Sequence, residues 1–385
     1  MKGIALAGLV PSTYFDQPVY LDKNYILLTP DSPITPDLVK RLQKWRYLQV
    51  FSDGRAKDVP GYLSGASSTA VATQTIDEDI RDGEQVTAAQ KFHGEFTAFI
   101  TGLFAKYAAE NLLSLGQVTD WVKRAMQMVH DNRDYLLRFL DTSADGERYM
   151  ITHSVNTTIL ALAIGDYLKS PPHRLIELGN ACILHEIGMM KLPSELQRSS
   201  KSLSPEERKA MMAHTLLGYR ILKGFSAPEN VALAALEHHE RIDGTGYPRA
   251  LTAGKITDYA LIISVVCAYD AMVSKRPFRL GSLDGHATIR DLAQKNRKQY
   301  DEKVLKALVY TLSVYPVGTA VQLSNYSKGV VVKTDSTKPR CPIVKVIFDP
   351  DGKRLVDPPQ IQVSDAEGLT ITGVLTAEEA KEVKG

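Results

Sequence analysis

Cysteine is scarce in this chain: three residues, Cys182, Cys267 and Cys341, out of 385. Thiols so few and odd in number cannot build a disulfide framework, and the usage fits a reducing cytoplasm. Net charge is nearly absent too, with 46 basic residues against 44 acidic ones for a formal +2. No global field therefore draws in a nucleic-acid polymer or an anionic membrane, and any anion site has to be local. Long apolar runs are also missing. Ile4 to Val10, behind Lys2, is at the short end for a signal peptide and no small-x-small cleavage site follows, so it reads as a strand. No uncharged stretch reaches the roughly 20 residues needed to cross a bilayer, and a soluble, cytoplasmic protein is expected. What is present is ordinary for a folded chain, 44% hydrophobic and 23% charged. The length is too great for one typical core and implies two or three compact units.

The pattern changes along the chain. Residues 1–60 read as a small α+β domain: Tyr20 to Leu28 gives two short strands around Asp22-Lys23-Asn24, and Pro36 to Trp45 gives a helix with Leu38, Leu42 and Trp45 on one face. Residues 61–84, rich in Gly, Ser, Thr and Ala and then in acids, read as a linker. Residues 85–142 carry two amphipathic periodicities, Ala88 to Asn111 and Val118 to Leu140, which either pack on the helical region downstream or form a dimer stalk. From 143 to 315 the pattern is almost continuously helical, an all-α bundle. Residues 316–375 hold β-branched runs separated by turn residues and read as a small β domain, with 376–385 a polar tail or short helix. The expected fold class is mainly α: an all-helical bundle, a small α+β N-terminal domain and a small β-rich C-terminal extension.

Within the bundle the histidines stand out. His238 and His239 close an apolar run and open the turn Glu240-Arg241-Ile242-Asp243-Gly244-Thr245-Gly246-Tyr247-Pro248; His153, His185 and His214 lie on or beside other apolar helix faces. A lone histidine there is more often a core residue bonded to a carbonyl. Five from four separate helices, two of them adjacent and one beside Glu186, are more imidazole than a neutral core needs. Nitrogen and carboxylate donors together suit Fe, Mn, Zn or Ni, and a carboxylate such as Glu186 can bridge two ions.

The ordered set His185-Glu186-Ile187-Gly188, His214, His238-His239-Glu240-Arg241, Asp243-Gly244, Gly246-Tyr247-Pro248, Tyr269-Asp270-Ala271 and Arg276-Pro277-Phe278-Arg279 resembles the HD-GYP domain family. That family is a branch of the HD superfamily, metal-dependent phosphodiesterases of bacterial cyclic-dinucleotide signalling. The resemblance covers roughly residues 145–315 and implies an HD-type helical bundle. By it, His153, His185, Glu186, His214, His238 and His239 hold two divalent transition-metal ions, Fe or Mn, around a bridging hydroxide. His185, Glu186 and Arg276 are the implied catalytic residues. Arg276 and Arg279 meet substrate phosphates with a bidentate fork; Arg241, Tyr247 and Lys191 complete the substrate contacts, and the Gly-Tyr-Pro turn is a surface for a signalling partner.

Four positions depart from the family pattern. Glu186 replaces aspartate and reaches one methylene further; Met189 replaces a lysine; Tyr149 replaces the glutamate that some members use for a third metal; Cys267 stands where the late aspartate ligand is expected. As a thiolate Cys267 is a metal ligand, and as a small buried residue it ligates nothing. Asp270, one helical turn on, offers a carboxylate to the same face. The activity implied is hydrolysis of cyclic di-GMP. The alternatives are a catalytically degenerate sensor or protein-interaction module, and a domain whose metal only staples the bundle.

Overall fold

The computed structural model describes residues 2–11, 13–21, 26–28, 32–44, 47, 49–57, 71–140, 149–197, 203–274, 283–364 and 368–384. Trp45, Asp22-Lys23-Asn24, Arg276 and Arg279 lie outside the described residues. The chain is mainly α and divides into two compact units, one of residues 1–81, 320–330 and 343–385, the other of 82–319 and 331–342.

Among the described residues the first unit holds two larger sheets and a two-stranded one. Near the N-terminus β1 (Lys2–Ala5), β3 (Val19–Tyr20), β4 (Ile26–Leu28) and β5 (Gln49–Ser52) pair antiparallel in the order β1-β5-β3-β4, beside a two-stranded ribbon of β2 (Tyr14–Phe15) and β6 (Ala56–Lys57). Helix α1 (Pro36–Lys44) buries Leu42 in a cluster with Leu6, Phe15, Val19 and Ile34. The small α+β reading holds. Nearer the C-terminus β7 (Ala320–Leu323), β8 (Lys328–Lys333), β9 (Ile343–Phe348), β10 (Gln360–Gln362) and β11 (Ile371–Val374) form one sheet in the order β10-β9-β8-β7-β11.

The second unit is the helical bundle. Helix α2 (Val71–Glu110), which belongs to this unit from residue 82 onward, starts inside the stretch expected to be a linker. That stretch has no proline after Val71 and a single glycine, Gly83, so its acidic composition is compatible with helix. Helix α3 (Leu115–Leu136) comes next, and both bury their apolar faces, Phe96, Ile100, Val122 and Ala125 among them, in the same core as the helices downstream. Of the two readings for these helices, packing on the downstream bundle is the one observed.

Helix α4 (Tyr149–Tyr167) is the bundle's centre. Every residue from Thr152 to Gly165 is buried, because the sequence Thr-His-Ser-Val-Asn-Thr-Thr-Ile-Leu-Ala-Leu-Ala-Ile-Gly carries no formally charged side chain on any face. Around it lie α5 (Pro172–Leu184), the short α6 (Ser194–Gln197), α7 (Pro205–Met212), α8 (His214–Gly224), α9 (Glu229–Glu237), α10 (Asp258–Val273), α11 (Gly285–Gln294) and α12 (Glu302–Leu312). In the first unit a last helix, α13 (Ala377–Lys384), occupies the expected tail.

Caps set several boundaries. Asp301 accepts from the Val304 amide at 3.0 Å at the start of α12. Asp301→Ala should cost about 1 kcal/mol, the usual worth of such a cap, read as a lowered denaturant midpoint with unchanged slope. Among the described residues, no helix is long and apolar enough to cross a membrane.

Candidate metal centre

Three of the five histidines sit just past a helix end, where the last carbonyls lack an intrahelical partner. His185 follows α5 and its Nδ1 donates to the Cys182 carbonyl at 2.6 Å; His214 follows α7 and donates to Met211 at 2.6 Å; His238 follows α9 and donates to Ala235 at 3.0 Å. Each of these carbonyls fixes a ring tautomer and leaves Nε2 with its lone pair turned inward. His153, on α4, reaches the same state differently. Its Nδ1 lies 2.6 Å from Asp270 Oδ2 on α10, a carboxylate that also accepts from Asn156 at 2.7 Å and Ser274 at 3.3 Å.

The inward nitrogens meet. His153 Nε2 lies 3.3 Å from His185 Nε2, and His214 Nε2 lies 3.3 Å from His238 Nε2. In each pair both outer nitrogens carry the proton, so two lone pairs face each other, an arrangement that a cation between them satisfies. Two sets of donor atoms result: Glu186, His214, His238 and His239 in one, and His153, His185 and Cys267 in the other, with the donors of each within 4.8 Å of one another. Glu186 spans the two. Its Oε1 is 3.9 Å from both His153 Nε2 and His185 Nε2, and its Oε2 is 3.5 Å from His214 Nε2. That Oε2 is buried with no hydrogen-bond partner, which is costly for a carboxylate unless a cation answers it. The residues present therefore fit a pair of divalent ions.

Electrostatics agree with that donor chemistry. Burial lowers His185 to about 4 and holds His238 and His239 well below the ordinary imidazole value, so these rings are neutral near neutral pH, the state in which imidazole offers a lone pair to a cation. Burial works against charge on Glu186, but the surrounding His214, His185, His153 and His239 overcome it and take the carboxyl down to about 2. Burial first, and then the charge of Glu186, push the Cys267 thiol up; a bound cation acts in the opposite direction.

The turn after His239 is held from beneath by two acids to which the sequence reading gave no role. Glu240 is buried, and its two oxygens accept from the Arg249 and Leu251 amides at 2.7 and 2.8 Å. Glu237, also buried, pairs with the Arg249 guanidinium and accepts from the Thr257 amide at 2.8 Å. The available signal was their place inside the His-His-Glu motif. A Cβ on Gly246 would lie 2.3 Å from the Arg241 nitrogen and 2.5 Å from Glu240 Cα, so the loop closes this tightly only on glycine. Tyr247 stacks on His239, ring centroids 4.6 Å apart. Glu240→Ala should leave two amides unpaired and cost about 2–3 kcal/mol. Faster hydrogen exchange at Arg249 and Leu251 is the expected local signature.

The other expected site residues divide. Arg241 lies beside the centre, its guanidinium 4.8 Å over the Tyr300 ring. Lys191 instead places its ammonium 5.0 Å over Tyr107 of α2. Asp270 is not a spare ligand, because His153, Asn156 and Ser274 take its oxygens; it orients His153, as carboxylates behind metal-binding histidines do.

Comparison with known proteins points the same way. Residues 139–304 match the HD domain model, and residues 320–383 match a KOW domain associated with the HD domain. A cyclic di-GMP phosphodiesterase of Pseudomonas aeruginosa is 30% identical over 75% of this chain and 67% of its own length. One of Borreliella burgdorferi is 30% identical over 52% of each chain, and one of Thermotoga maritima is 36% identical over 49% of this chain and 52% of its own. The chain thus spans about half the length of two of these relatives and two thirds of the third. With the His-Glu pair, the converging histidines and the Gly-Tyr-Pro turn in one helical bundle, the chain belongs to the HD-GYP branch of the HD-domain family.

Proposed function

We propose that the chain is a metal-dependent phosphodiesterase that opens cyclic di-GMP to a linear dinucleotide. The observation that carries the reading is the shared carboxylate: Glu186 turns one oxygen toward each of two donor sets whose imidazoles are pre-oriented. Two divalent ions held by His153, His185, Glu186, His214, His238 and His239 would supply a bridging water of lowered pKa and offset charge developing on the phosphoryl oxygens. The protein's own part is positioning. Carbonyls of Cys182, Met211 and Ala235 aim three imidazoles and Asp270 aims a fourth, so no ring has to reorganise during the reaction. Arg276 and Arg279 are assigned to the substrate phosphates. Their replacement by alanine should weaken substrate capture while metal content stays unchanged.

The test is to purify the protein with Fe or Mn retained, count metals per chain, and follow linear dinucleotide formed from cyclic di-GMP, with His185→Ala as control. Two metals and turnover lost in the variant are expected. Protein that binds the cyclic dinucleotide without metal and without turnover would instead be a sensor, and the phosphodiesterase reading would fall.

A further inference from the structure

The two donor sets are chemically unlike. One is three imidazoles and a carboxylate; the other is two imidazoles and the Cys267 sulfur, with Glu186 at its edge. Cys267 is 6% exposed on α10, and its Sγ lies 3.4 Å from His185 Nε2. It stands one helical turn before Asp270, so a single helix supplies both this sulfur and the carboxylate that aims His153.

Geometry separates a ligand from a small core residue here. His185 Nε2 is 3.3 Å from His153 Nε2 and 3.4 Å from Cys267 Sγ, and both rings keep their protons on Nδ1. A thiol proton donated to one Nε2 leaves the other nitrogen's lone pair facing it. One cation satisfies all three donors. The spacings also suit a common ion. With metal–nitrogen bonds of about 2.0–2.1 Å and metal–sulfur bonds of about 2.3 Å, a tetrahedral site has edges of roughly 3.4 Å between nitrogens and 3.6 Å between nitrogen and sulfur. Glu186 Oε1, 3.9 Å from both nitrogens, stands near the remaining corner.

We propose that His153, His185 and Cys267 form a thiolate-containing site that selects a thiophilic divalent ion, Fe(II), Co(II) or Zn(II), over Mn(II) and Mg(II), leaving the imidazole–carboxylate set as the less selective position. Sulfur donors favour softer ions, whereas the carboxylate they replace suits Mn and Mg. The two ions of the centre are then not interchangeable. This proposal rests on the metal-dependent reading above and deepens it.

Cobalt is the probe. The full chain, stripped of metal under reductant and without oxygen, is titrated with Co(II) while bound cobalt per chain and the near-ultraviolet spectrum are recorded. A sulfur-to-cobalt charge-transfer band is expected to grow with cobalt binding. Cys267→Ser should abolish the band while the protein stays folded by circular dichroism and still binds cobalt at the other set. Cys267→Asp should shift competition between Zn(II) and Mn(II) toward manganese by about tenfold or more. Two cobalt ions bound with no such band, or a band that survives Cys267→Ser, would overturn the thiolate site and leave the dinuclear reading standing. No cobalt bound at all would overturn the dinuclear reading itself.

Discussion

Glu186→Gln is expected to reduce bound metal from two ions per chain to one or none and to lower hydrolysis of cyclic di-GMP by about a thousandfold or more, some 4 kcal/mol of transition-state stabilisation. The substitution keeps the size and planarity of the side chain. It removes the charge that both donor sets share, and it puts an amide NH₂ where one oxygen faced imidazole lone pairs at 3.5 or 3.9 Å. An amide nitrogen has no lone pair to offer a cation. Elemental analysis with a product assay decides the matter, and an unchanged melting curve for the metal-free protein excludes simple misfolding. Glu186→Asp, which restores the carboxylate usual in the family one methylene shorter, should retain part of the activity; equal loss in both variants would mean that reach, not charge, is what Glu186 provides.

Gly188→Ala is expected to destabilise the protein by about 3 kcal/mol or more. A Cβ there would lie 1.9 Å from the His214 carbonyl oxygen and 2.5 Å from the Gly218 nitrogen. Both obstacles are backbone, so neither can rotate away as a side chain would. The 3-10 turn Ile187–Lys191 that carries Gly188 comes directly after Glu186, and the helix it presses against begins with His214. Forcing the two apart also pulls a carboxylate from an imidazole 3.5 Å away, so metal binding should weaken together with the denaturant midpoint. Gly94→Ala is the control. Nothing lies within 4 Å of its added Cβ, and in the interior of α2 it should be neutral or stabilise by about 0.5–1 kcal/mol. Similar losses in both variants would contradict the close approach.

Much of this was legible in the sequence because the physics there is local. Apolar residues at helical spacing marked the bundle, and an uncharged run marked the central helix. Five histidines with one adjacent carboxylate marked the centre before any contact was known. The linker reading misjudged residues 71–84, because composition describes solubility and not whether the backbone propagates a helix from the next segment. Lys191 was a candidate substrate contact, yet its ammonium lies over the ring of Tyr107, which comes from a helix about eighty residues earlier. Glu237 and Glu240 lay within the motif but were given no role, because a buried acid that ties down a loop looks, in sequence, like any charged residue beside a turn.

The sequence by itself determined the donor types, their order and the family they belong to, since these depend on residue identity and spacing. Only the tertiary structure decided that Asp270 bonds to His153, that the longer Glu186 reaches both donor sets, and that Cys267 points its sulfur at His185. The reason is physical. Ligation depends on which lone pairs are left over once each ring nitrogen and carboxylate oxygen has found its nearest partner, and those partners come from helices far apart in the chain.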